Sequence, residues 1–182
     1  MVILITGASH TGKTLLAQRL LEQLHYPCLS IDHLKMGLIR SGNTALTPED
    51  DDALTDYLWP ILREMVKTAV ENRQNLILEG CYIPPDWRKD FTAPYLDSIR
   101  FLCLAFTDAY IEKNFGEILR HASDIESRLD DSDCSPESQK ADNRSCRRRF
   151  GAAGEAVTLI DSDYAGTITA LLADLFRDLC AE

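Results

Sequence analysis

A glycine-rich octapeptide at residues 7–14, Gly-Ala-Ser-His-Thr-Gly-Lys-Thr, matches the pattern G-x-x-x-x-G-K-[ST] in full. The glycines let the backbone curve until successive N–H groups converge on phosphate oxygens at the positive end of the next helix. Lys13 can then reach the β- and γ-phosphates, and the Thr14 hydroxyl can ligate Mg²⁺, which predicts a site for ATP and Mg²⁺. The predicted nucleotide-binding residues of this loop are Gly7, His10, Thr11, Gly12, Lys13, Thr14 and Leu15.

A carboxylate, Asp32, follows the apolar run Cys28–Ile31, which we interpret as the second strand. Ligands of open α/β sheets bind outside the carboxyl ends of the strands, so Asp32 is placed to meet a second substrate. An alcohol is hardly ionised at neutral pH, and a carboxylate aligned on its proton assists phosphoryl transfer, whereas a phosphate acceptor needs no such base. Asp32 is therefore a predicted catalytic and acceptor-binding residue. Its alternative role, capping the next helix, is compatible with the first.

Short apolar runs alternate with longer helical patterns along the chain. The five runs that we interpret as strands are Val2–Ile5, Cys28–Ile31, Leu76–Leu78, Arg100–Phe106 and Val157–Ile160. They lack the alternation of a half-exposed sheet, which favours parallel strands covered by helices on both faces. The amphipathic patterns between them include a predicted helix start at Thr47-Pro48-Glu49 and a predicted kink at Pro60. This order predicts an α/β layered domain.

One segment, residues 123–150, departs from the alternation. It holds 13 charged side chains among its 28 residues, and five of the chain's 13 arginines, where an even spread would place two. We interpret it as a lid that brings guanidinium groups to phosphates. The alternative is a solvated helical hairpin whose arginines pair with its own acids. Residues 1–182 are expected to form one domain that carries this lid.

Composition and charge narrow the classes of partner. The 182 residues include 19 Lys and Arg against 29 Asp and Glu, a formal net charge of −10. Because sequence-independent nucleic-acid binding needs a basic surface, we expect a small-molecule acceptor as partner, and neither a nucleic acid nor a membrane. The longest apolar stretch, Phe101–Phe106, is far shorter than a membrane span. The six cysteines are scattered and lack metal-ligand spacing, and we expect no signal peptide, so we predict a reduced cytoplasmic protein. The sequence leaves open whether the protein forms a homodimer.

The loop motif, the strand spacing and the late arginine-rich segment resemble the small P-loop kinases of the adenylate-kinase-like, shikimate- and gluconate-kinase-like type. The resemblance extends over most of the chain and is greatest to bacterial adenylate-kinase-like and 2-phosphoglycerate-kinase-like proteins. It implies a P-loop NTPase three-layer sandwich with a five-stranded parallel sheet in the order 2-3-1-4-5 and an arginine-rich lid. It also implies an ATP- and Mg²⁺-dependent phosphotransferase that acts on a hydroxyl group of a small metabolite.

The same resemblance assigns roles outside the loop. Glu79 ends the third apolar run, where relatives carry an acid that organises Mg²⁺ and its waters. Lys35 stands where relatives often carry arginine, which implies contact with an anionic group of the substrate, and Arg40 is a further substrate-binding candidate. Tyr82, another substrate-binding candidate, is expected either to wall the acceptor pocket together with Trp87 or to pack a loop onto the core.

Arginines are the expected phosphate ligands of the lid. Arg128 is the first candidate for stabilising the transferring phosphoryl group, and Arg144 and Arg148 are predicted to bind substrate. Arg120 resembles the residue that stacks on adenine in relatives; its alternative is a cation at a helix carboxyl end. Adenylate kinases continue after the third strand with Phe-Pro-Arg, and that arginine grips the acceptor phosphate. This chain has no arginine at the matching place, although Arg88 could reach back from a different position.

Two other functions stay open. A nucleoside monophosphate kinase keeps the fold and changes the acceptor, and the missing arginine after Gly80 disfavours it. A nucleotide-binding regulatory module with slow hydrolysis would use the same loop, with Asp32 and the arginines serving structure. That module differs from both kinases in having no acceptor-dependent ATP turnover.

Overall fold

The computed structural model describes residues 1–121 and 134–180. The apolar runs predicted as strands form β1 (Val2–Gly7), β2 (Cys28–Ser30), β3 (Leu76–Glu79), β4 (Ile99–Phe106) and β5 (Thr158–Ile160). The helices are α1 (Lys13–Leu24), α2 (Ile31–Arg40), α3 (Asp51–Glu71), α4 (Ala93–Leu96), α5 (Asp108–His121), α6 (Pro136–Ala152) and α7 (Tyr164–Cys180), with a 3₁₀ turn over Trp87–Asp90. None of the helices in these two ranges combines the length and the apolar composition that crossing a bilayer requires.

The five strands form one parallel sheet in the order β2-β3-β1-β4-β5, which confirms the α/β class and the strand order that the resemblance implied. β1 is central, and its six residues are all buried. Pairing places both Ile5 and Ser30 opposite Glu79. The carboxyl ends of β1, β2 and β3 therefore meet at one edge of the sheet, where the loop motif, Asp32 and Glu79 are joined on.

Alternate residues of the central strand feed two apolar cores, one on each face of the sheet. Val2 and Leu4 of β1 face the core that α3 covers, whereas Ile3 and Ile5 face the core that α1 and α7 cover. Each fully buried aliphatic side chain contributes about 1.5–3 kcal/mol through removal from water. The sheet is thus fixed from both faces, and the loops at its carboxyl edge have a rigid base.

Helix α3 begins later than the sequence pattern predicted. We expected a start at Thr47-Pro48-Glu49, but the helix runs from Asp51 to Glu71. The Asp50 carboxylate accepts hydrogen bonds from the backbone N–H and the hydroxyl of Thr47, at 2.8 and 2.9 Å. This turn gives the Thr47 N–H a hydrogen-bond partner without a helix. The predicted helix start at Thr47 was therefore wrong. Pro60 lies inside α3, which continues without interruption to its end.

The described part of the predicted lid segment is a helix docked on the sheet. Residues 122–133 lie outside the described residues, and the remainder includes α6, which a capping box between Ser135 and Ser138 opens. The buried residues of α6 share one face and are Gln139, Asn143, Cys146 and Phe150. Asn143 ties the helix to β4, because its Oδ1 accepts the Phe106 N–H at 2.7 Å. A lid that moves over the phosphates stays a prediction.

Gly7 ends β1 at a point where only glycine fits. Its φ is +142°, and a Cβ atom there would stand 2.1 Å from the Leu104 carbonyl oxygen. We expect Gly7→Ala to lower the free energy of unfolding by at least about 3 kcal/mol, because backbone strain and steric overlap act together. Urea unfolding of the variant and the wild type measures this difference.

Gly37→Ala is the matched control, because Gly37 lies in α2 with nothing within 4 Å of an added Cβ atom. We expect it to raise the free energy of unfolding by about 0.5–1 kcal/mol, since glycine is a poor helix former. A Gly7→Ala protein within about 1 kcal/mol of the wild type would contradict the close approach of β1 to β4.

Candidate active site

The loop between β1 and α1 has a backbone shaped to receive an anion. Gly12, directly before α1, has φ +80°, and a Cβ atom there would stand 2.0 Å from the Tyr164 hydroxyl. His10 also lies in the left-handed region, with φ +63°. Within the described part of the chain, no side chain caps the start of α1 and no acid stands in its first turn. The positive end of the α1 dipole therefore faces the loop with no opposing acid in the first turn of the helix.

Lys13 is the first residue of α1, and its side chain folds back over the loop. Its ammonium group donates to the Ala8 carbonyl oxygen at 2.8 Å, and the Thr11 hydroxyl donates to the same oxygen at 2.8 Å. Lys13 is only 8% exposed, so its positive charge is held against the loop backbone and shielded from solvent. A cation in this position strengthens the attraction of the loop for phosphate.

Thr14 and Glu79 present oxygen atoms of the kind that Mg²⁺ binds. The Thr14 hydroxyl donates to Glu79 Oε2 at 3.4 Å, and Glu79 is 2% exposed at the end of β3. In nucleotide sites Mg²⁺ is held by one or two protein oxygens together with phosphates and water. The hydroxyl and the buried carboxylate therefore fit the ion that the loop motif implies.

Four side chains form a connected polar network beyond the carboxyl end of β2. Asp32, the second residue of α2, forms an ion pair with Lys35 at 2.6 Å. Lys35 also donates to the Tyr82 hydroxyl at 2.9 Å, and Tyr82 donates to Asp51 at 3.1 Å. The network thus joins three predicted residues and adds Asp51, which no sequence pattern indicated. The N-cap of α2 is Ser30, so the helix-capping alternative for Asp32 does not hold.

The network includes a lysine, Lys35, whose side chain is mostly buried. The Lys35 side chain is 12% exposed and that of Asp32 is 39% exposed. Burial favours the neutral amine, yet the hydrogen bonds to Asp32 and Tyr82 together with the charge of Asp32 raise the pKa of Lys35 above its usual value. Burial raises the pKa of Tyr82 to about 12, against the opposing effect of Lys35. Near neutral pH the network therefore holds a cationic lysine and a neutral tyrosine.

Cys81, in the loop after β3, lies between the nucleotide loop and the polar network. Desolvation raises the pKa of the Cys81 thiol, and the charges of Lys13, Asp32 and Asp142 all act on it. The Cys81 thiol also contacts the carbonyl oxygen of Gly7 at 3.8 Å, which places it beside the start of the phosphate loop.

Helix α6 presents an acid to the phosphate loop. The Ser9 N–H donates to Asp142 Oδ2 at 2.7 Å, across 133 residues of sequence. Asp142 stands beside Asn143 on the edge of the buried face of α6, so the docking of the helix fixes the contact. Charge enrichment drew attention to the arginines of this segment, and no sequence signal singled out Asp142. The contact places a carboxylate on an amide of the phosphate-binding motif.

The arginines predicted on α6 lie elsewhere. Arg144 pairs with Asp108 at the start of α5, with its Nε at 2.7 Å, and this pairing lowers the pKa of Asp108. Arg147 also approaches Asp108, at 3.9 Å, and Arg148 is exposed. Arg144 is therefore bound to an acid of the protein, and the phosphate contacts predicted for Arg144 and Arg148 stay predictions.

Three further predicted residues occupy separate places. Arg120 is exposed near the end of α5 and pairs with Glu117, so the alternative of a helix carboxyl-end cation describes its present contact. Arg40 is the exposed last residue of α2. Arg128 lies outside the described residues. Adenine stacking, substrate binding and phosphoryl stabilisation, respectively, stay predictions for these three.

Arg88 is committed to a structural ion pair. It donates to both carboxylate oxygens of Glu155, at 2.5 and 3.1 Å, and the Glu155 side chain is 4% exposed. Its guanidinium group also lies 4.5 Å from the centre of the Trp87 ring. Trp87 itself is fully buried and stacks on Phe101, so it packs the loop onto the core and does not wall a pocket. Arg88 therefore does not replace the arginine that adenylate kinases carry after the third strand.

Comparisons with known proteins bear on the fold and the family. A family model described as an AAA domain matches residues 2–107. A comparison with curated protein sequences finds no match to the chain. Among solved structures, a shikimate kinase from Bacteroides thetaiotaomicron is similar with a TM-score of 0.57 at 13% identity, over 96% of this chain and 98% of that one.

Two further solved structures are similar over nearly their whole length. A deoxyadenosine kinase from M. mycoides has a TM-score of 0.58 at 12% identity, over 97% of this chain and 100% of that one. A gluconokinase from Sinorhizobium meliloti 1021 has a TM-score of 0.52 at 13% identity, over 97% of this chain and 96% of that one. At these identities the likeness confirms the fold of the small P-loop kinases.

The matched residues 2–107 make up more than half of the chain and contain the phosphate loop, the polar network and the Thr14–Glu79 pair. Motif, sheet order and family model agree on the same carboxyl edge of the sheet as the place where the site is built. The chain belongs to the AAA domain family.

Proposed function

We propose that the protein is an ATP- and Mg²⁺-dependent kinase that transfers the γ-phosphoryl group to a hydroxyl group of a small metabolite. The observation that carries this proposal is the placement of Asp32, held by Lys35, at the same sheet edge as the loop that holds Lys13. The kinase names of the structurally similar proteins support the same reaction class. A cytoplasmic location is supported by the free thiols among the described residues.

The loop between β1 and α1 binds the nucleotide and stabilises the charge of its phosphates. Converging N–H groups between Gly7 and Thr14 hold the phosphates, and Lys13 stabilises negative charge as it develops on the transferring group. Mg²⁺ bound near Thr14 and Glu79 would neutralise phosphate charge. Because the loop rests on two buried cores, its donors keep their positions during the reaction, which is the basis of electrostatic catalysis.

The acceptor half belongs to Asp32. The acceptor oxygen forms a bond to the γ-phosphorus, the bond from that phosphorus to ADP breaks, and the acceptor proton passes to the Asp32 carboxylate. Lys35 binds Oδ1 of Asp32 and so fixes the orientation of the carboxylate toward the acceptor. Tyr82 holds Lys35 in turn, which makes both of them positioning residues.

The missing phosphate grip weighs against a nucleoside monophosphate acceptor. Arg88 is bound to Glu155 and stacked on Trp87, and both contacts would have to break before it could reach an acceptor phosphate. A carboxylate poised to accept a proton is needed for an alcohol and not for a phosphate. The acceptor that this arrangement favours is an alcohol.

Lys13→Ala is expected to lower acceptor-dependent ADP release by at least about 100-fold, because the loop loses its one side-chain cation. Far-UV circular dichroism is expected to stay unchanged, since the loop backbone and both cores remain. Lys89→Ala is the matched control, because Lys89 forms an exposed pair with Asp86 away from the loop. Turnover by Lys13→Ala close to that of the control would contradict the nucleotide site.

Asp32→Asn is expected to lower kcat by about 100-fold and to change the Kd for ATP by less than about threefold, because the amide accepts no proton but leaves the phosphate loop intact. Steady-state kinetics and calorimetric ATP titration measure the two quantities. Asp174→Asn, which removes a carboxylate from an exposed pair with Arg177, is the control. An unchanged kcat would assign Asp32 a structural role and remove the base from the mechanism.

Asp142→Asn is expected to tighten ATP binding about three- to tenfold at low ionic strength, with a smaller gain at high salt, because it removes a negative charge from beside the phosphate loop. The amide oxygen can still accept the Ser9 N–H, so the docking of α6 is preserved. Calorimetric titration at two salt concentrations measures the effect. Weaker binding by the variant would show that Asp142 assists the nucleotide, contrary to this account.

A further inference from the structure

We propose that the acceptor carries no carboxylate or phosphate group and is a neutral or amine-bearing alcohol. This inference rests on the proposed kinase function and names the substrate class of the same site. It departs from the expectation, taken from the resemblance, that Lys35 contacts an anionic group of the substrate. Its basis is the charge balance of the polar network formed by Asp32, Lys35, Asp51 and Tyr82.

The charge of Lys35 is already used within the protein. Its ammonium group is bound to Asp32 at 2.6 Å and to the Tyr82 hydroxyl at 2.9 Å, and it lies 5.0 Å from the centre of the Tyr82 ring. With its side chain 12% exposed, the amine has little room to turn toward a ligand. An anionic substrate would have to displace the Asp32 carboxylate, which the mechanism needs as the base.

The acceptor side has an excess of acid. Asp32 and Asp51 together carry one more negative charge than Lys35 neutralises. The ammonium group of Lys13 is held against the phosphate loop. A carboxylate or phosphate brought to this side would lose its hydration without gaining a cationic partner among residues 1–121 and 134–180.

Other cations of the described residues are committed or distant. Arg88 is bound to Glu155, and Arg144 is bound to Asp108. Arg40, at the far end of α2, lies eight residues from Asp32, which is about 12 Å of helical rise. Arg40 is thus separated from Asp32 by about two turns of helix, and its side chain is exposed.

Hydroxyl and ammonium groups suit the same surroundings. A hydroxyl donates to a carboxylate, and an ammonium group can donate a charge-assisted hydrogen bond to Asp51, which lies at the exposed start of α3. Asp51 is therefore a specificity-determining residue, because its charge favours a cation and disfavours an anion beside the polar network. Tyr82 fixes it in place through a 3.1 Å hydrogen bond.

The test sorts acceptors by charge before the reaction. A protein-free small-molecule extract of cells that express the chain is separated by ion exchange at pH 7 into anionic, neutral and cationic fractions. Each fraction is incubated with the full-length protein, Mg²⁺ and γ-labelled ATP, with Lys13→Ala as the background, and labelled organic phosphate is measured. We expect labelled product from the neutral or the cationic fraction, at least about tenfold above the anionic one.

Two other outcomes are possible, and they contradict two different proposals. Product formed mainly from the anionic fraction would overturn the inference and leave the kinase proposal standing. Release of labelled inorganic phosphate alone, equal in all fractions and in buffer, would contradict the kinase proposal itself. The two failures are therefore distinguishable in one experiment.

A charge reversal tests the residue directly. In Asp51→Lys the share of product formed from the anionic fraction is expected to rise at least about fivefold, because the charge of the polar network becomes more positive by two units. Asp52→Lys makes the same change at the neighbouring exposed position of α3, for which no contact with the network is seen, and should leave the share unchanged. Equal shares in both variants would overturn the role assigned to Asp51.

Discussion

The position of β1 at the centre of the sheet is the constraint on which the rest of the site depends. All six residues of the strand are buried between β3 and β4, and its last residue, Gly7, approaches the Leu104 backbone too closely for any side chain. The Ala8 N–H then donates to the Leu104 carbonyl oxygen at 3.1 Å, so the phosphate loop leaves the sheet at one fixed point. Because parallel pairing aligns β2 and β3 with this strand, Asp32 and Glu79 arrive beside the same loop.

The charges around that edge are divided between two tasks. Lys13 lies on the nucleotide side, where positive potential is required, and Lys35 on the acceptor side neutralises Asp32 within a closed hydrogen-bond network. On helix α6, Asp142 accepts a hydrogen bond from the loop, whereas Arg144 pairs with Asp108 of α5. The loop thus holds one buried lysine, Lys13, whereas the network around Asp32 has one more acid than base, which is the basis of the proposed preference against anionic acceptors.

The parts that depend on contiguous patterns were predictable from sequence. The loop motif is unbroken, the apolar runs define the strands, and Asp32 and Glu79 are found because each follows a strand. Asp51 and Asp142 were not predictable, because their contacts join residues 31 and 133 positions apart. Charge enrichment indicated an exposed segment after α5, yet enrichment carries no information on which side chain faces the loop. The late start of α3 has a local cause, the turn that Thr47 makes with Asp50.

Direct transfer of the γ-phosphoryl group to an alcohol oxygen would leave an isotopic signature in the product. The protein is incubated with Mg²⁺, a small-molecule extract and ATP whose γ-phosphoryl oxygens are ¹⁸O. The masses of the phosphorylated products are then measured by mass spectrometry. The account predicts a phosphomonoester that carries the labelled non-bridging oxygens and an unlabelled bridging oxygen from the acceptor. Label found in inorganic phosphate alone, with no labelled ester, would contradict it.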